Sequence, residues 1–363
     1  MNFGFTILDF GLGKRAVRKI LRIEFFSVNN PKSKIQNLKW GGIVAIALAL
    51  AFNGAVAEAQ QPAKIPRIGY VAVTSPSVNP TRIEAFRQGL REVGYVEGKN
   101  IIIEWRYADG KPDRLPALAA ELVRLKVDII ISAGPAVTRP VKEATSTIPI
   151  VMAFDDDPVV NGFVASLARP GGNITGLSTL GPEISGKRLE LLKEIVPRLS
   201  RAAVFGTSTQ PGYAQVSKEM EIAAGALKVQ LQYLDILSPK DIETAFREAS
   251  KGRAGAVLVL QSGVLNSHRI QVADLAVKNR LPAVYGAPEY VGDGGLLSYA
   301  PSYTDLFRRA APYVDKILKG AKPSDLPVQQ PTKFEFIINL RTAKQIGLTI
   351  PPNVLVRADK VIK

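Results

Sequence analysis

The chain has no cysteine and a single histidine, His268, among 363 residues. The first absence excludes disulfides, thiolate nucleophiles and cysteine-ligated zinc, and the second leaves no histidine cluster for a metal. Lysine and arginine give a formal net charge of +15 but form no polybasic run interleaved with aromatic residues. Since nucleic-acid-binding proteins cluster such residues, we expect no nucleic-acid partner.

Cofactor fingerprints are also absent from the sequence. The glycine-rich stretch at residues 292–295 fits neither a phosphate-binding loop nor a dinucleotide-binding motif. Without cysteine or a histidine at a site, no nucleophile and base can be paired, although carboxylates alone remain possible catalysts. The sequence therefore predicts no cofactor, no metal and no enzymatic activity.

An apolar run of about a dozen residues lies at positions 41–52, after Lys32, Lys34 and Lys39 and before small residues. This order is typical of a secretory signal peptide, and the run is shorter than the roughly 20 residues that span a bilayer. We predict that residues 1–59 are a signal segment cleaved after Ala57 or Ala59. An uncleaved membrane anchor is the alternative. The segment before Lys32 is long, so either translation starts further in or the leader is unusual.

Strand-like and helix-like segments alternate after residue 64, which predicts a parallel sheet covered by helices. Short β-branched runs predict strands over residues 65–73, 100–105, 128–132, 148–154 and 174–178. Apolar residues at helical spacing predict helices over residues 81–93, 112–125 and 135–145.

The same order then recurs, so the chain is predicted to contain two similar halves. Further strands are predicted over residues 202–205, 229–235, 256–260 and 282–285, with helices over residues 213–227, 239–250 and 267–280. Ile148 in the first set corresponds to Leu281 in the second, 133 residues later. A tail with strands over residues 295–299 and 333–339 and a helix over residues 303–318 fits neither set.

The predicted fold class is α/β, with two doubly wound parallel-sheet lobes. We expect an N-terminal lobe of residues 65–175 plus about 300–328, and a C-terminal lobe of residues 176–299 plus about 329–363. The chain would then cross between the lobes near Thr175, Ala300 and Gln330. Three such crossovers act as a hinge.

Three carboxylates, Asp155, Asp156 and Asp157, follow the strand at residues 148–154. Pro158 suits the first position of a helix and Asp157 its N-cap, so a helix is predicted over residues 158–168, ended by Pro170 and two glycines. A strand end, a polar loop and a helix N-terminus form the kind of place where open α/β sheets bind ligands.

Seven motifs in order resemble the substrate-binding proteins of ABC transporters related to the tryptophan/tyrosine uptake type. The resemblance runs from about residue 65 to the C-terminus. The motifs are Phe86-Arg87-Gln88-Gly89-Leu90, Gly94-Tyr95-Val96-Glu97-Gly98-Lys99-Asn100, Asp113-Arg114-Leu115-Pro116-Ala117-Leu118-Ala119, Asp157-Pro158-Val159, Arg169-Pro170-Gly171-Gly172-Asn173-Ile174-Thr175-Gly176, Lys187-Arg188-Leu189-Glu190-Leu191-Leu192 and Leu326-Pro327-Val328-Gln329-Gln330-Pro331-Thr332-Lys333-Phe334.

This resemblance implies a type I periplasmic-binding fold, residence in the periplasm and docking onto an inner-membrane ABC permease with its ATPase. It implies a small solute, an amino acid or a related compound, bound between the lobes. The sequence departs from the family in two places. Asp155 and Asp156 stand where small residues are common, and Gly134-Pro135-Ala136 stands where Thr-Pro-Ala is common.

Ligand-binding candidates are polar or aromatic residues at the predicted carboxyl ends of the strands. Asp155 is expected to bind a ligand ammonium and the amides near Gly134 and Ala136 an anionic group, whereas Asp157 serves as an N-cap or a ligand contact. His268 is expected at the surface. The full candidate set is Ser75, Ser77, Gly134, Pro135, Ala136, Asp155, Asp157, Thr207, Ser208, Tyr213, Gln261 and Tyr285.

A non-catalytic periplasmic receptor is the leading interpretation, and two alternatives stay open. One is a two-lobed α/β enzyme such as a glycosyltransferase, which would need a catalytic constellation. The other is a ligand-sensing lobe of a signalling system. A repressor relative would carry an N-terminal DNA-binding motif, but the apolar segment occupies that part of the chain.

Overall fold

The computed structural model describes residues 64–363, and the predicted signal segment lies outside them. The strands are β1 (Arg67–Ala72), β2 (Ile102–Tyr107), β3 (Ile129–Ala133), β4 (Ile150–Asp155), β5 (Ile174–Ser178), β6 (Arg201–Gly206), β7 (Gln230–Asp235), β8 (Ala256–Val259), β9 (Ala283–Tyr285), β10 (Leu297–Pro301), β11 (Phe334–Asn339) and β12 (Lys360–Ile362).

The helices alternate with these strands. They are α1 (Pro80–Glu92), α2 (Leu115–Arg124), α3 (Pro135–Ala144), α4 (Gly181–Ile195), α5 (Tyr213–Leu227), α6 (Asp241–Lys251), α7 (Gly263–Ser267), α8 (Arg269–Lys278), α9 (Glu289–Gly292), α10 (Tyr303–Leu318), α11 (Leu340–Gln345) and α12 (Pro352–Leu355). No helix among residues 64–363 is long and apolar enough to cross a bilayer.

The first sheet has five parallel strands in the order β2-β1-β3-β4-β5. Its inner strands are continuous apolar runs, such as Ile129, Ile130 and Ile131, which are fully buried. Helices cover both faces, as such strands require: α1 and α10 pack on one face, α2 and α3 on the other. This sheet and its helices form the first lobe.

The second sheet has seven strands in the order β12-β11-β10-β9-β8-β6-β7. Strands β6 to β10 are parallel, as predicted, but β11 runs antiparallel to β10. The chain reaches β11 from α10 of the first lobe, so it enters the second sheet at the same end at which β10 leaves it. This makes β11 antiparallel to β10. The sheet and helices α4 to α9, α11 and α12 form the second lobe.

Three crossovers join the lobes, as the predicted fold class requires. The first follows β5, which includes Thr175 and runs to Ser178 in the first sheet, so the chain leaves the first lobe slightly later than expected. The second lies between β10 and α10, and the third lies after Gln329, which bridges to Leu177 of β5. The crossovers therefore lie side by side between the lobes.

The helix predicted over residues 158–168 is wrong. The Asp157 side chain does accept hydrogen bonds from the amides of Val159 and Val160, but the turn that it caps ends at Gly162, where φ is +69°. The next residues, Phe163 and Val164, are not helical and are both buried in the core of the first lobe. The left-handed glycine thus ends the turn despite a good helix-start signal.

Two other predictions differ from the structure. The helix predicted over residues 267–280 is present as α8, with slightly narrower bounds, but it is preceded by the unpredicted α7, which ends before His268. Helix α4 was not predicted, although it carries buried apolar residues at positions 184, 191, 192 and 195. The short elements α11, α12 and β12 were also not predicted.

Candidate functional site

Each sheet has a switch point at which its strand order reverses, between β1 and β3 in the first lobe and between β6 and β8 in the second. Ligands of open α/β sheets bind outside the carboxyl ends of the strands at such points. Residues following these four strands line two neighbouring cavities in the cleft between the lobes. The topology therefore places both switch points at the same cleft.

The aromatic cavity has an empty volume of about 580 Å³. Its first-lobe wall is largely aromatic, and Tyr70 lies at the centre of that wall, with its ring centroid 4.8 Å from Trp105 and 6.0 Å from Tyr107. Burial raises the pKa of Tyr107 to about 12. The aromatic residues lining this cavity are Tyr70, Tyr107, Phe154 and Phe307. Such rings can pack against an apolar part of a solute.

The N-terminus of α3 opens onto the aromatic cavity. Gly134, Pro135 and Ala136 all line it. Gly134 has φ +107°, and a Cβ at this position would lie 2.9 Å from Phe154, so a larger residue would strain this turn. The amide of Ala136 belongs to the first turn of the helix, where no helical acceptor exists. It can donate to an acceptor group in the cavity.

The hinge cavity lies beside the first crossover and, together with the space open to solvent at its mouth, has a volume of about 480 Å³. It contains two buried charged side chains, Asp156 from the end of β4 and Arg188 from α4, which are 8% and 4% exposed. The remaining walls are mostly hydroxyl, amide and apolar groups. They include Thr179, Ser185, Thr207, Gln210, Tyr213, Gln261 and Tyr303.

Two glutamines of the second lobe separate the cavities, because Gln210 and Gln261 line both. Gln210 Nε2 donates to the backbone carbonyl of Gln261 at 2.9 Å. Both polar atoms of the Gln261 side chain are buried and have no hydrogen-bond partner within residues 64–363. Asn266 Oδ1, in the aromatic cavity, is likewise unpartnered there. Since buried polar groups are nearly always paired, these amides are candidates to bind a molecule in the cleft.

The three consecutive carboxylates have different surroundings. Asp155 is fully buried and lines neither cavity; its Oδ1 accepts from Asn161 at 2.7 Å and from the Asp157 amide at 3.1 Å. Burial, with a contribution from Asp156, raises the pKa of Asp155 well above its usual range. Asp157 caps its turn and also lies outside both cavities. Asp156 is thus the acid that lines the cleft.

Asp156 is also bound to the first crossover. Its Oδ1 accepts from Thr179 Oγ1 at 3.0 Å, and its backbone carbonyl accepts from the Gly181 amide at 3.1 Å. Burial raises the pKa of Asp156, and the Thr179 hydrogen bond and the positive charge of Arg188 partly offset that increase. A group that binds Asp156 would therefore act directly on the hinge.

The other candidates from the sequence divide between the cleft and the rest of the molecule. Ser75 lines the aromatic cavity, and Thr207 and Tyr213 line the hinge cavity. Ser77 and Ser208 are exposed outside both, where Ser208 bonds to Asp235. Tyr285 is fully buried in the second lobe and stacks on Tyr290, with ring centroids 4.5 Å apart. Its side chain does not reach either cavity.

Sequence reasoning missed Arg82, Asp156, Arg188, Gln210 and Tyr303. Arg188 was missed together with α4, but the sequence contained a signal: an arginine on the apolar stripe of an amphipathic segment requires a buried partner. Asp156 belongs to the acidic run, but the sequence-based expectation assigns the ligand contact to Asp155. No sequence pattern distinguishes it from Asp155, because the bend after β4 decides which acid faces the cleft.

The lobes touch each other across this cleft. Arg269 Nη1 of the second lobe donates to the backbone carbonyl of Val78 in the first lobe at 2.7 Å, and Gln210 Nε2 lies 3.4 Å from Asp156 Oδ2. Arg82 lines the aromatic cavity from α1 and is bound by Glu289 of α9. The described residues contain no group of three or more acidic or histidine side chains suited to a metal. The arrangement is a closed cleft suited to binding an organic solute.

A family model described as "ABC transporter substrate binding protein" matches residues 70–362. The chain is also 27% identical over 278 residues to a tyrosine-binding protein from Clostridioides difficile (strain R20291). The aligned region covers 76% of this chain and 79% of that protein. Proteins of this family are typically periplasmic or extracellular and work with an ABC permease.

Two solved structures have the same fold. A conserved domain protein from Vibrio cholerae O1 biovar El Tor is 28% identical, with a TM-score of 0.77 over 82% of this chain and 100% of that one. An ABC domain from Streptococcus pneumoniae in complex with L-Trp is 24% identical, with a TM-score of 0.76 over 82% of this chain and 99% of that one. Both likenesses include the two lobes described above.

Proposed function

Because the chain belongs to the ABC transporter substrate-binding proteins, we propose that it binds an amino acid or a related small solute in the cleft between its lobes and delivers it to an inner-membrane permease. Its role as a solute-binding receptor for an ABC importer follows from the family. The proposal adds the place of binding, the class of solute and the partner. It also places the mature protein in the periplasm.

Gln261 carries this proposal. Its amide has no partner among residues 64–363, although it is buried at the boundary of two cavities. Leaving a buried donor or acceptor unpaired costs about 1–3 kcal/mol, so such a group favours a state in which a ligand supplies the missing bonds. Residues of both lobes line these cavities, and a solute bound there would therefore stabilise the closed arrangement.

The proposed contacts revise the set expected from sequence. In the aromatic cavity they are Ser75, the amides near Gly134 and Ala136, and Gln261; in the hinge cavity they are Thr207 and Tyr213. Asp156 replaces Asp155, because the carboxylate of Asp155 is enclosed by its own loop. The tyrosine-binding and tryptophan-bound relatives make aromatic amino acids the first solutes to test.

Thermal-shift screening followed by isothermal titration calorimetry tests the proposal. The panel contains the twenty L-amino acids, with sugars, polyols and nucleosides as other solute classes. We expect a bound solute to raise the unfolding temperature, since ligand that binds only the folded state stabilises it. Gln261→Ala should weaken that binding, whereas Gln88→Ala, on an exposed face of α1, should leave it unchanged.

Turnover separates the receptor from the enzyme alternative. A receptor returns its solute unchanged after prolonged incubation, as mass spectrometry of the recovered solute can show. Formation of a product, or the absence of binding across the whole panel, would contradict the proposed function.

A further inference from the structure

Asp156 and Arg188 carry opposite charges into the hinge cavity, both almost fully buried. Within residues 64–363 neither forms an ion pair, with each other or with another side chain, although each alters the pKa of the other. Two buried charges that face one cavity without touching leave room between them. Buried charges are costly unless they are paired, so this arrangement is incomplete as it stands.

Each of the two side chains has one polar atom available. Asp156 Oδ1 is bound to Thr179, but Oδ2 has only a long contact of 3.4 Å with Gln210 Nε2. Arg188 Nε donates to the carbonyl of Tyr299 at 2.7 Å and Nη1 to Ser185 at 3.4 Å. Its Nη2 makes no hydrogen bond within the described chain. An acceptor and a donor, both charged, thus remain for a ligand.

We propose that the hinge cavity is the subsite for a head group carrying both an ammonium and a carboxylate. Asp156 Oδ2 accepts from the ammonium, and Arg188 Nη2 donates to the carboxylate. This inference rests on the proposed function, because it names the chemical class of solute that the cleft selects. The rest of the solute passes Gln210 and Gln261 and enters the aromatic cavity, where Tyr70, Tyr107 and Phe154 form an apolar wall.

The surroundings of the pair fit this assignment. Ser185, Thr207 and Tyr213 line the same cavity. The hydroxyls of Ser185 and Thr207 donate to the backbone carbonyls of Gly181 and Ile236, so their oxygens can accept from an ammonium. The two charges balance, so a zwitterion adds no net charge to the closed cleft. A solute with one charge would satisfy one side chain and leave the other buried and unpaired.

Calorimetry with matched analogues tests the subsite. The first set is L-tyrosine, tyramine, which lacks the carboxylate, and 3-(4-hydroxyphenyl)propanoate, which lacks the ammonium. The second set is L-leucine, 3-methylbutylamine and 4-methylpentanoate. We expect the zwitterion of at least one set to bind about 10- to 150-fold more tightly than either analogue, the range expected for one charge-assisted hydrogen bond.

Variants identify which side chain binds which charged group of the solute. Asp156→Asn should weaken binding of the zwitterion by a similar factor and leave the affinity for the acid analogue unchanged. Arg188→Lys should weaken the zwitterion and leave the amine analogue unchanged. Asp155→Asn is the matched control, since Asp155 is also buried, one residue away, but lines neither cavity; it should bind the zwitterion as the wild type does.

The outcomes separate this proposal from the proposed function. If both analogues bind as tightly as the amino acid, the subsite assignment fails and the proposed function stands. If a sugar or polyol binds and no amino acid does, the subsite assignment and the proposed class of solute both fail, and only the receptor role stands. If no solute of the wider panel binds, both fail. The analogue comparison needs only the wild-type protein, so it decides the matter even if a variant does not fold.

Discussion

Arg82 of α1 and Glu289 of α9 form a bidentate ion pair across the cleft, with Nε to Oε1 at 2.6 Å and Nη2 to Oε2 at 2.8 Å. The Arg82 guanidinium also lies 3.9 Å from the ring centroid of Tyr303. The two side chains are 4% and 18% exposed. Burial disfavours both charges, but each partner stabilises the other, which raises the pKa of Arg82 and lowers that of Glu289. Any rotation that opens the cleft would separate them.

We predict that this pair stabilises the closed state. Arg82→Met should leave Glu289 unpaired and weaken solute binding by about 30-fold or more, because losing one partner of a buried charge pair costs about 2–5 kcal/mol. Stopped-flow dissociation should show that most of the effect lies in a faster off-rate.

Arg308→Met is the control for this prediction. Arg308 pairs with Glu92 at 2.8 Å, but both belong to the first lobe and are well exposed. Surface pairs contribute little, so its solute affinity should equal that of the wild type. If both variants lost solute affinity equally, the contact between the lobes would not be the cause, and the prediction would be contradicted.

Solute binding should change the relative position of the lobes. We expect the free protein to sample open arrangements, and a solute that contacts both lobes only in the closed one to shift the population toward it. Small-angle X-ray scattering should therefore show a smaller radius of gyration with the tightest solute of the panel than without it. The same radius in both samples, under conditions where calorimetry shows saturation, would contradict closure.

Gly176, in the middle of β5, should tolerate no side chain. Its φ is +136°, and a Cβ would lie 2.2 Å from the carbonyl oxygen of Met152. Gly176→Ala should destabilise the fold by about 2–5 kcal/mol, combining strained backbone with overpacking. Gly172→Ala is the matched control, since its Cβ would enter open space. Thermal unfolding of the two variants tests the difference.

Asp155 should make stability depend on pH. Its raised pKa means that the folded protein keeps a proton that the unfolded chain loses near pH 4. The free energy of unfolding therefore declines as pH rises from about 4 toward the pKa of Asp155 in the folded state. Asp155→Asn keeps the Oδ1 acceptor for Asn161 and removes the titration. The unfolding temperature of the variant relative to the wild type should therefore increase from pH 4 to pH 7. A constant difference would contradict the prediction.

The N-terminal segment should be removed on export. Its apolar run and the small residues after it predict cleavage following Ala57 or Ala59. N-terminal sequencing of protein recovered from the periplasm should begin at Glu58 or Gln60. A mature protein beginning near Met1 would favour the uncleaved anchor instead.

Patterns within single elements were enough to predict most of the fold. The helices at residues 213–227 and 303–318 have the predicted bounds, because each has a clear apolar stripe and a glycine or capping residue at its start or end. The duplicated strand order predicted two lobes. Residues 158–168 show the limit of this approach: good local signals at Asp157 and Pro158 yield only one turn, which ends at Gly162, where φ is +69°.

The site was less accessible to sequence reasoning, because it depends on which side chains face the cleft. Gly134 to Ala136 and Gln261 were placed there by their position after a strand. Asp155 and Asp156 have the same residue type and adjacent positions, so only the bend after β4 distinguishes them. Arg188 reaches the hinge cavity from α4 of the second lobe, and its position in the sequence does not indicate that it lines the same cavity as Asp156.

The hydrogen bonds between the crossovers limit how the lobes can move. The amide of Ser178 donates to Gln329, the amide of Gln329 to Gly176, and the amide of Ser302 to Lys333. Crossovers joined in this way can bend or twist with these hydrogen bonds intact, whereas sliding one crossover along another would break them. The lobes therefore keep few degrees of freedom. We therefore expect Arg82 to meet Glu289 again at each closure, and substitutions in the crossovers to change affinity without changing the residues that touch the solute.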